Sequence, residues 1–280
     1  MMKNFIFIFC LLFNSFLFGQ SNILNAKDPT QIGIKNFDQP QSDSESSFLE
    51  YPNLDDRDIL WSKIVYEKID LNEKLNFPLL FPIIDSEDKT RKSLWRIIRE
   101  NIENGKIKKV YDSRSDDFLS SNEIVKKDSI IDTYASKYVE GDSKPKTYAM
   151  SNDIKAYFIK GMWYFDKRQS EMRYRLLGLM PYGNNLKEKG KEQPYFWIWY
   201  PSIREILHNE MVFNDKSNAN RISFDQLLIS RRFSSYIYKE DNVYGNRAIK
   251  DYKNPGLRSI LESERIKKEI LDFEQDMWNR

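Results

Sequence analysis

The 280-residue chain has one cysteine and one histidine, and each scarcity excludes a class of chemistry. Cys10 sits inside an apolar amino-terminal run, after Phe7, Ile8 and Phe9 where a lipoprotein signal needs Leu and then small residues, so it is no lipid attachment site. A chain processed beyond that run has no disulfide, thiolate nucleophile or Cys-ligated metal, and its stability must come from its core. His208 has no second histidine with which to share a metal, and no Gly-x-Ser-x-Gly elbow accompanies it, so it reads as a helix-surface or interface residue. Walker-type loops and Gly-x-Gly-x-x-Gly are also missing. No catalytic residue, cofactor or metal is therefore expected, and the chain reads as non-enzymatic.

Long apolar runs and an excess of one charge are lacking too. Only Phe5 to Phe18, interrupted at Asn14 and Ser15, is strongly apolar; a membrane-spanning helix needs about 20 such residues. With Lys3 ahead of it, the run matches a secretory signal, cleaved after Gly19 to leave Gln20 first. An uncleaved anchor is the alternative. The 44 Lys and Arg against 42 Asp and Glu leave the chain almost neutral, with little electrostatic reason to bind nucleic acid or anionic lipid.

What is abundant is aromatic residues, 14% beside 31% charged ones, a mixture suited to a packed domain with amphipathic surfaces. Residues 20–54 are polar, with Pro29, Pro40, Pro52 and a low-complexity stretch over 41–47, and read as an extended arm. That arm is either a spacer or a segment whose Ile23, Leu24 and Ile32 dock on a neighbouring subunit. Residues 55–280 read as one α+β domain, with either a variable insertion or a lobe divide over 112–152.

The spacing predicts a strand within Ile59–Leu71, a helix with Leu94, Trp95, Ile98 and Ile102 on its inner face, and a short strand at Ile107–Tyr111. Two apolar runs spanning 157–180 flank a polar loop over 166–170 and form an antiparallel hairpin around which the sheet is built. Tyr195–Tyr200 is a strand covered on both faces, followed by a short helix from Pro201 through Leu207. Ser223 and Gln226 form a capping box for a helix through about Phe233.

A long last helix should begin at Asn254 and Pro255. Its apolar residues fall on two sides: Leu257, Ile260, Leu261, Leu271 and Trp278 on one, and Ile266, Ile270, Phe273 and Met277 on the other. Either both meet the chain's own core or one meets a partner. The second stripe, with Arg231, Arg232 and Tyr236, supplies the candidate partner-interface residues; the two arginines amid aromatics read either as a protein-binding surface or as an intramolecular ion-pair surface. Asp55, Asp56 and Asp58 around Arg57 lack the Gly and distal Glu of a calcium loop and read as a salt-bridged turn.

The segments NILNAK at 22–27, DDRDILW at 55–61, YEKIDLNEKLNFPL at 66–79, GKIKKVY at 105–111, KGMWYFDKRQSEMRYRLLGLMP at 160–181, FWIWYPSIREIL at 196–207 and SFDQLLISRRFSSYIYKEDNVYGNRAI at 223–249 resemble, in order, the GldN/PorN family. The resemblance implies a periplasmic subunit, peripheral to the inner face of the outer membrane. It would form a ring with the lipoprotein GldK/PorK, self-associate within that ring and contact the GldM/PorM motor protein. It further implies service in type IX secretion and gliding, and no catalytic residues. A reading from composition alone, an exported carbohydrate-active or peptidoglycan-binding protein, rests on abundant carboxylates and a Trp-rich segment over 195–200.

Overall fold

The computed structural model describes residue 28 and residues 50–84, 92–136, 147–188, 190–212, 222–242, 247–253 and 256–278. The amino-terminal apolar run, most of the arm, and the expected start of the last helix at Asn254 and Pro255 lie outside them. The architecture is α+β, an antiparallel sheet carrying helices.

Eight strands form the sheet: β1 (Ile59–Asp70), β2 (Val110–Asp112), β3 (Glu123–Ile124), β4 (Ile154–Asp166), β5 (Glu171–Asn184), β6 (Glu192–Pro194), β7 (Phe196–Trp199) and β8 (Tyr236–Glu240). Their order is β3-β2-β7-β5-β4-β1-β8, with β6 paired to the end of β5. The β4–β5 hairpin is its spine, and β1 runs antiparallel to β4 along nearly its whole length. The register shifts between the Lys160–Gly178 and Gly161–Leu176 pairs, a bulge that gives β5 one extra residue, Leu177.

Strand alternation divides the core. One face presents Ile69, Ile159, Leu179 and Ile198 to α1 (Phe77–Leu80), α2 (Leu94–Glu103), α3 (Lys127–Asp132), α4 (Arg204–His208) and α5 (Phe224–Ile229). The other presents Tyr66, Met162, Leu177, Met180, Trp197 and Trp199. All four residues of β7 are buried, which explains why its sequence is continuously apolar instead of alternating.

Local chemistry sets the helix ends. Ser93 caps α2 by accepting the Arg96 amide at 3.1 Å, and the chain leaves α2 through Gly105 in the left-handed region at φ 71°. Ser223 and Gln226 close a reciprocal capping box on α5. That helix ends at Ile229, earlier than the apolar pattern implied, because Arg231 turns left-handed at φ 52° to reach the sheet. After Tyr200 a single tight turn over Tyr200–Ser202 precedes α4.

Among the described residues no helix lies over the second face. Leu54 and Phe118 cover it instead. Phe118 stands edge-on to Tyr111 at 5.1 Å and to Trp199 at 4.9 Å. A Cβ on Gly178 would come within 2.6 Å of its ring, so the glycine is what lets the 113–119 segment lie on the strand. Beyond α6 (Ile249–Tyr252), α7 (Leu257–Trp278) packs along β1 and β8. The Ile237 amide at the outer edge of β8 donates to the Ser263 hydroxyl of α7 at 2.9 Å.

Candidate functional site

The residues the sequence offered as contacts part into three places. Arg231 faces inward. Its guanidinium forms a forked pair with the buried Glu67 carboxylate at 2.9 and 2.7 Å, with its carbon 4.2 Å from the Tyr174 ring centre. Ser235 donates to the same carboxylate. Burial disfavours the Arg231 charge, yet the hydrogen bonds and charge of Glu67 outweigh it and hold the group above its ordinary range. Arg231 therefore ties the loop after α5 to β1, and its charge is used internally. Arg232 is exposed beside His208, Gln226 and Ile229 in a depression over α4 and α5.

The stripe proposed for a partner is covered by the chain itself. Ile266 and Ile270 are 0% and 6% exposed, in one cluster with Val65, Ile237 and Ile249. Phe273 stacks on Trp61 with ring centres 4.8 Å apart and meets Phe165 edge-on at 6.1 Å. Met277 is half-buried. The side left in water is the other one: Leu257, Ile260, Leu261 and Leu271 are each at least half exposed.

Tyr236 belongs to a surface that the sequence did not assemble. It is 41% exposed on β8, and the Lys68 ammonium on β1 lies about equally far from the Tyr236 and Tyr182 rings, at 6.0 and 5.9 Å. Phe158 on β4 packs edge-on against Tyr182 at 5.4 Å and Tyr238 at 5.0 Å. The result is a cation-aromatic row across β8, β1, β4 and β5, beside the cover formed by the 113–119 segment. Strand alternation could have linked Tyr66, Lys68, Tyr236 and Tyr238 to one face, but only the register places Phe158 and Tyr182 among them.

That cover is fastened by charge. Asp116 pairs with Lys239, and the nearly buried Lys160 ammonium donates to the Asp116 carbonyl at 2.8 Å. Burial would raise the Asp116 carboxyl, but hydrogen bonds from Lys239 and Tyr66 and the charges of Lys239 and Lys160 hold it below the usual range. Nearby, Tyr51 stands between Arg204 and Arg175, 4.1 and 4.7 Å from its ring centre. Arg204 also pairs with the buried Asp225, and Arg175 donates to the Pro52 carbonyl at 2.8 Å.

Asp55 is ion-paired to Arg57 at 3.0 Å and Asp58 to Arg168 at 3.5 Å. Among the described residues no group of three His, Cys, Asp or Glu side chains is arranged to hold a metal, and no helix is long and apolar enough to cross a membrane.

Such an arrangement, an antiparallel sheet with Glu67, Arg204 and Asp225 ion-paired within the chain and an outer surface carrying aromatic and aliphatic side chains, defines an α+β domain. The family described as gliding motility associated protein GldN matches residues 54–279. The chain belongs to that family, and with it to the gliding-associated proteins. No curated protein matches it.

Proposed function

We propose that the chain is a non-catalytic structural subunit of the type IX secretion machinery. In this reading it is exported to the periplasm and assembles with the lipoprotein GldK/PorK into a ring beneath the outer membrane, with GldM/PorM as a further contact. The observation that carries the reading is the family match over residues 54–279. It is supported by how the charged and polar groups are used: Glu67, Arg204 and Asp225 are buried in ion pairs that hold segments together. The carbohydrate-binding alternative needed a Trp floor at 195–200, but Trp197 and Trp199 are 2% and 1% exposed inside the core.

Deleting the gene should abolish secretion of cargo and, in a gliding organism, movement; unchanged secretion would overturn the proposal. In the complemented strain His208→Ala should secrete normally. Affinity isolation from envelopes should recover the ring lipoprotein. Tyr236→Ala with Lys68→Ala, which removes the middle of the aromatic row without touching the core, should weaken that recovery while the circular dichroism stays the same. Recovery at full strength would exclude the row as the contact.

A further inference from the structure

The uncovered side of α7 has an internal order that a solvated surface does not require. Leu257, Leu261, Glu264, Lys268, Leu271 and Gln275 succeed one another at alternating steps of four and three residues, the spacing of a coiled-coil seam, and all are exposed. Leu257, Leu261 and Leu271 are 72%, 59% and 50% exposed, with Ile260 beside them at 58%. This seam is also a palindrome about Ile266. Leu261 and Leu271 lie equally far from it on either side, as do Glu264 and Lys268.

We infer that α7 pairs antiparallel with α7 of a second copy of this chain along this seam. Leu261 then faces the partner's Leu271, and Glu264 faces the partner's Lys268, each pair occurring twice about a two-fold axis at Ile266. Direction follows from charge. Parallel pairing would set Glu264 against Glu264 and Lys268 against Lys268, whereas the antiparallel one matches both seam charges with their opposites. Among the described residues Glu264 of one copy pairs with the partly exposed Lys267, at 3.0 Å, and Lys268 has no ion pair. The cross-copy pairs therefore displace little.

A charged centre between leucine layers fixes register at some expense of strength, as polar seam residues do. An isologous contact closes at two copies. It adds a two-fold junction to whatever ring the chain enters, and it does not depend on the secretion reading.

The test uses the mature chain. Sedimentation equilibrium should show a concentration-dependent dimer. Leu261→Asp with Leu271→Asp, both on the exposed side, should remove it without changing the circular dichroism or the melting temperature. Glu264→Lys or Lys268→Glu alone should weaken dimerisation about tenfold, and the two together should restore it.

Direction is tested by thiols, since the only cysteine, Cys10, precedes the expected mature start. Leu261→Cys protein mixed with Leu271→Cys protein should cross-link on mild oxidation. Leu261→Cys alone should not, because in the antiparallel pair its two copies stand about 15 Å apart, beyond disulfide reach. A chain that stays monomeric, a dimer indifferent to the paired Asp substitutions, or self-cross-linking at position 261 overturns the inference.

Discussion

The phenol of Tyr174 on β5 occupies the space that a side chain on Gly161 of β4 would need, and it cannot yield freely, because Trp163 and the Arg231 guanidinium hold it at 5.1 and 4.2 Å. Gly161→Ala should therefore destabilise the domain by about 1–3 kcal/mol, as overpacking does. Chemical denaturation checks this, and an unchanged midpoint would show that the ring can move aside.

Removing the guanidinium beside that ring should be worse. Arg231→Ala leaves the Glu67 carboxylate, 1% exposed, without its forked partner, a loss of about 3–5 kcal/mol. Replacing both, Arg231→Met with Glu67→Leu, should recover much of it, since apolar substitution of a buried pair is often near neutral. If the double variant melts no higher than Arg231→Ala, the pair has a role beyond mutual neutralisation.

The Asp116 fastening predicts acid sensitivity. Its carboxyl is held below the usual range in the folded chain, so the stability it contributes is present above the unfolded value of about 3.9. That stability is lost as pH falls through the lower folded value. In Glu100 and Glu269 burial likewise opposes the charge, but ion pairs with Arg96 and Lys92, and with Lys63 and Arg265, overcome it and add the same sign. Unfolding free energy should fall on acidification below about pH 4, and Asp116→Asn should flatten part of that slope. An identical pH profile for the variant would remove Asp116 from the account.

For α7 the expectation concerns folding. Ile270→Asp with Phe273→Asp places carboxylates against Val65 and Trp61 and should unfold the helix from the sheet, with a loss of cooperative melting. A well-folded double variant would mean that α7 is dispensable to the core.

Tyr51 and Leu54 add a ring between two guanidiniums and a buried aliphatic side chain, together worth about 2–4 kcal/mol. A chain starting at Asp55 should melt several degrees below one starting at Glu50. Equal melting would make this short segment an ornament on the domain.

The parts of the fold that depend on local spacing were legible in the sequence. The β4–β5 hairpin, the inner face of α2, the capping box at Ser223 and the doubly covered β7 follow from periodicity and capping chemistry, which act within a turn or two. Less legible was whatever depends on partners far along the chain. Nothing near Ile266 says that its side of α7 meets Val65 while the Leu261 side meets water, because both stripes are apolar and only the sheet's position breaks the tie. For Arg231 the sequence left a protein-binding surface and an internal ion pair open, and only Glu67, distant in sequence, decides between them. The polar stretch after Asp112 hid a structural role in Phe118, whose seat exists only because residue 178, on another strand, is glycine.

The hydrogen bond from the Ile237 amide to Ser263 has a consequence at the scale of the assembly. In the proposed ring a subunit would meet its neighbours constantly, and a bare strand edge would recruit the next copy by backbone pairing that is indifferent to sequence. Here a helix hydroxyl answers that amide, and the bridge between Lys239 and Ala248 occupies the strand beside it. Growth by strand addition is blocked at that stretch of β8, so neighbours there must be chosen by side chains, which can tell one surface from another.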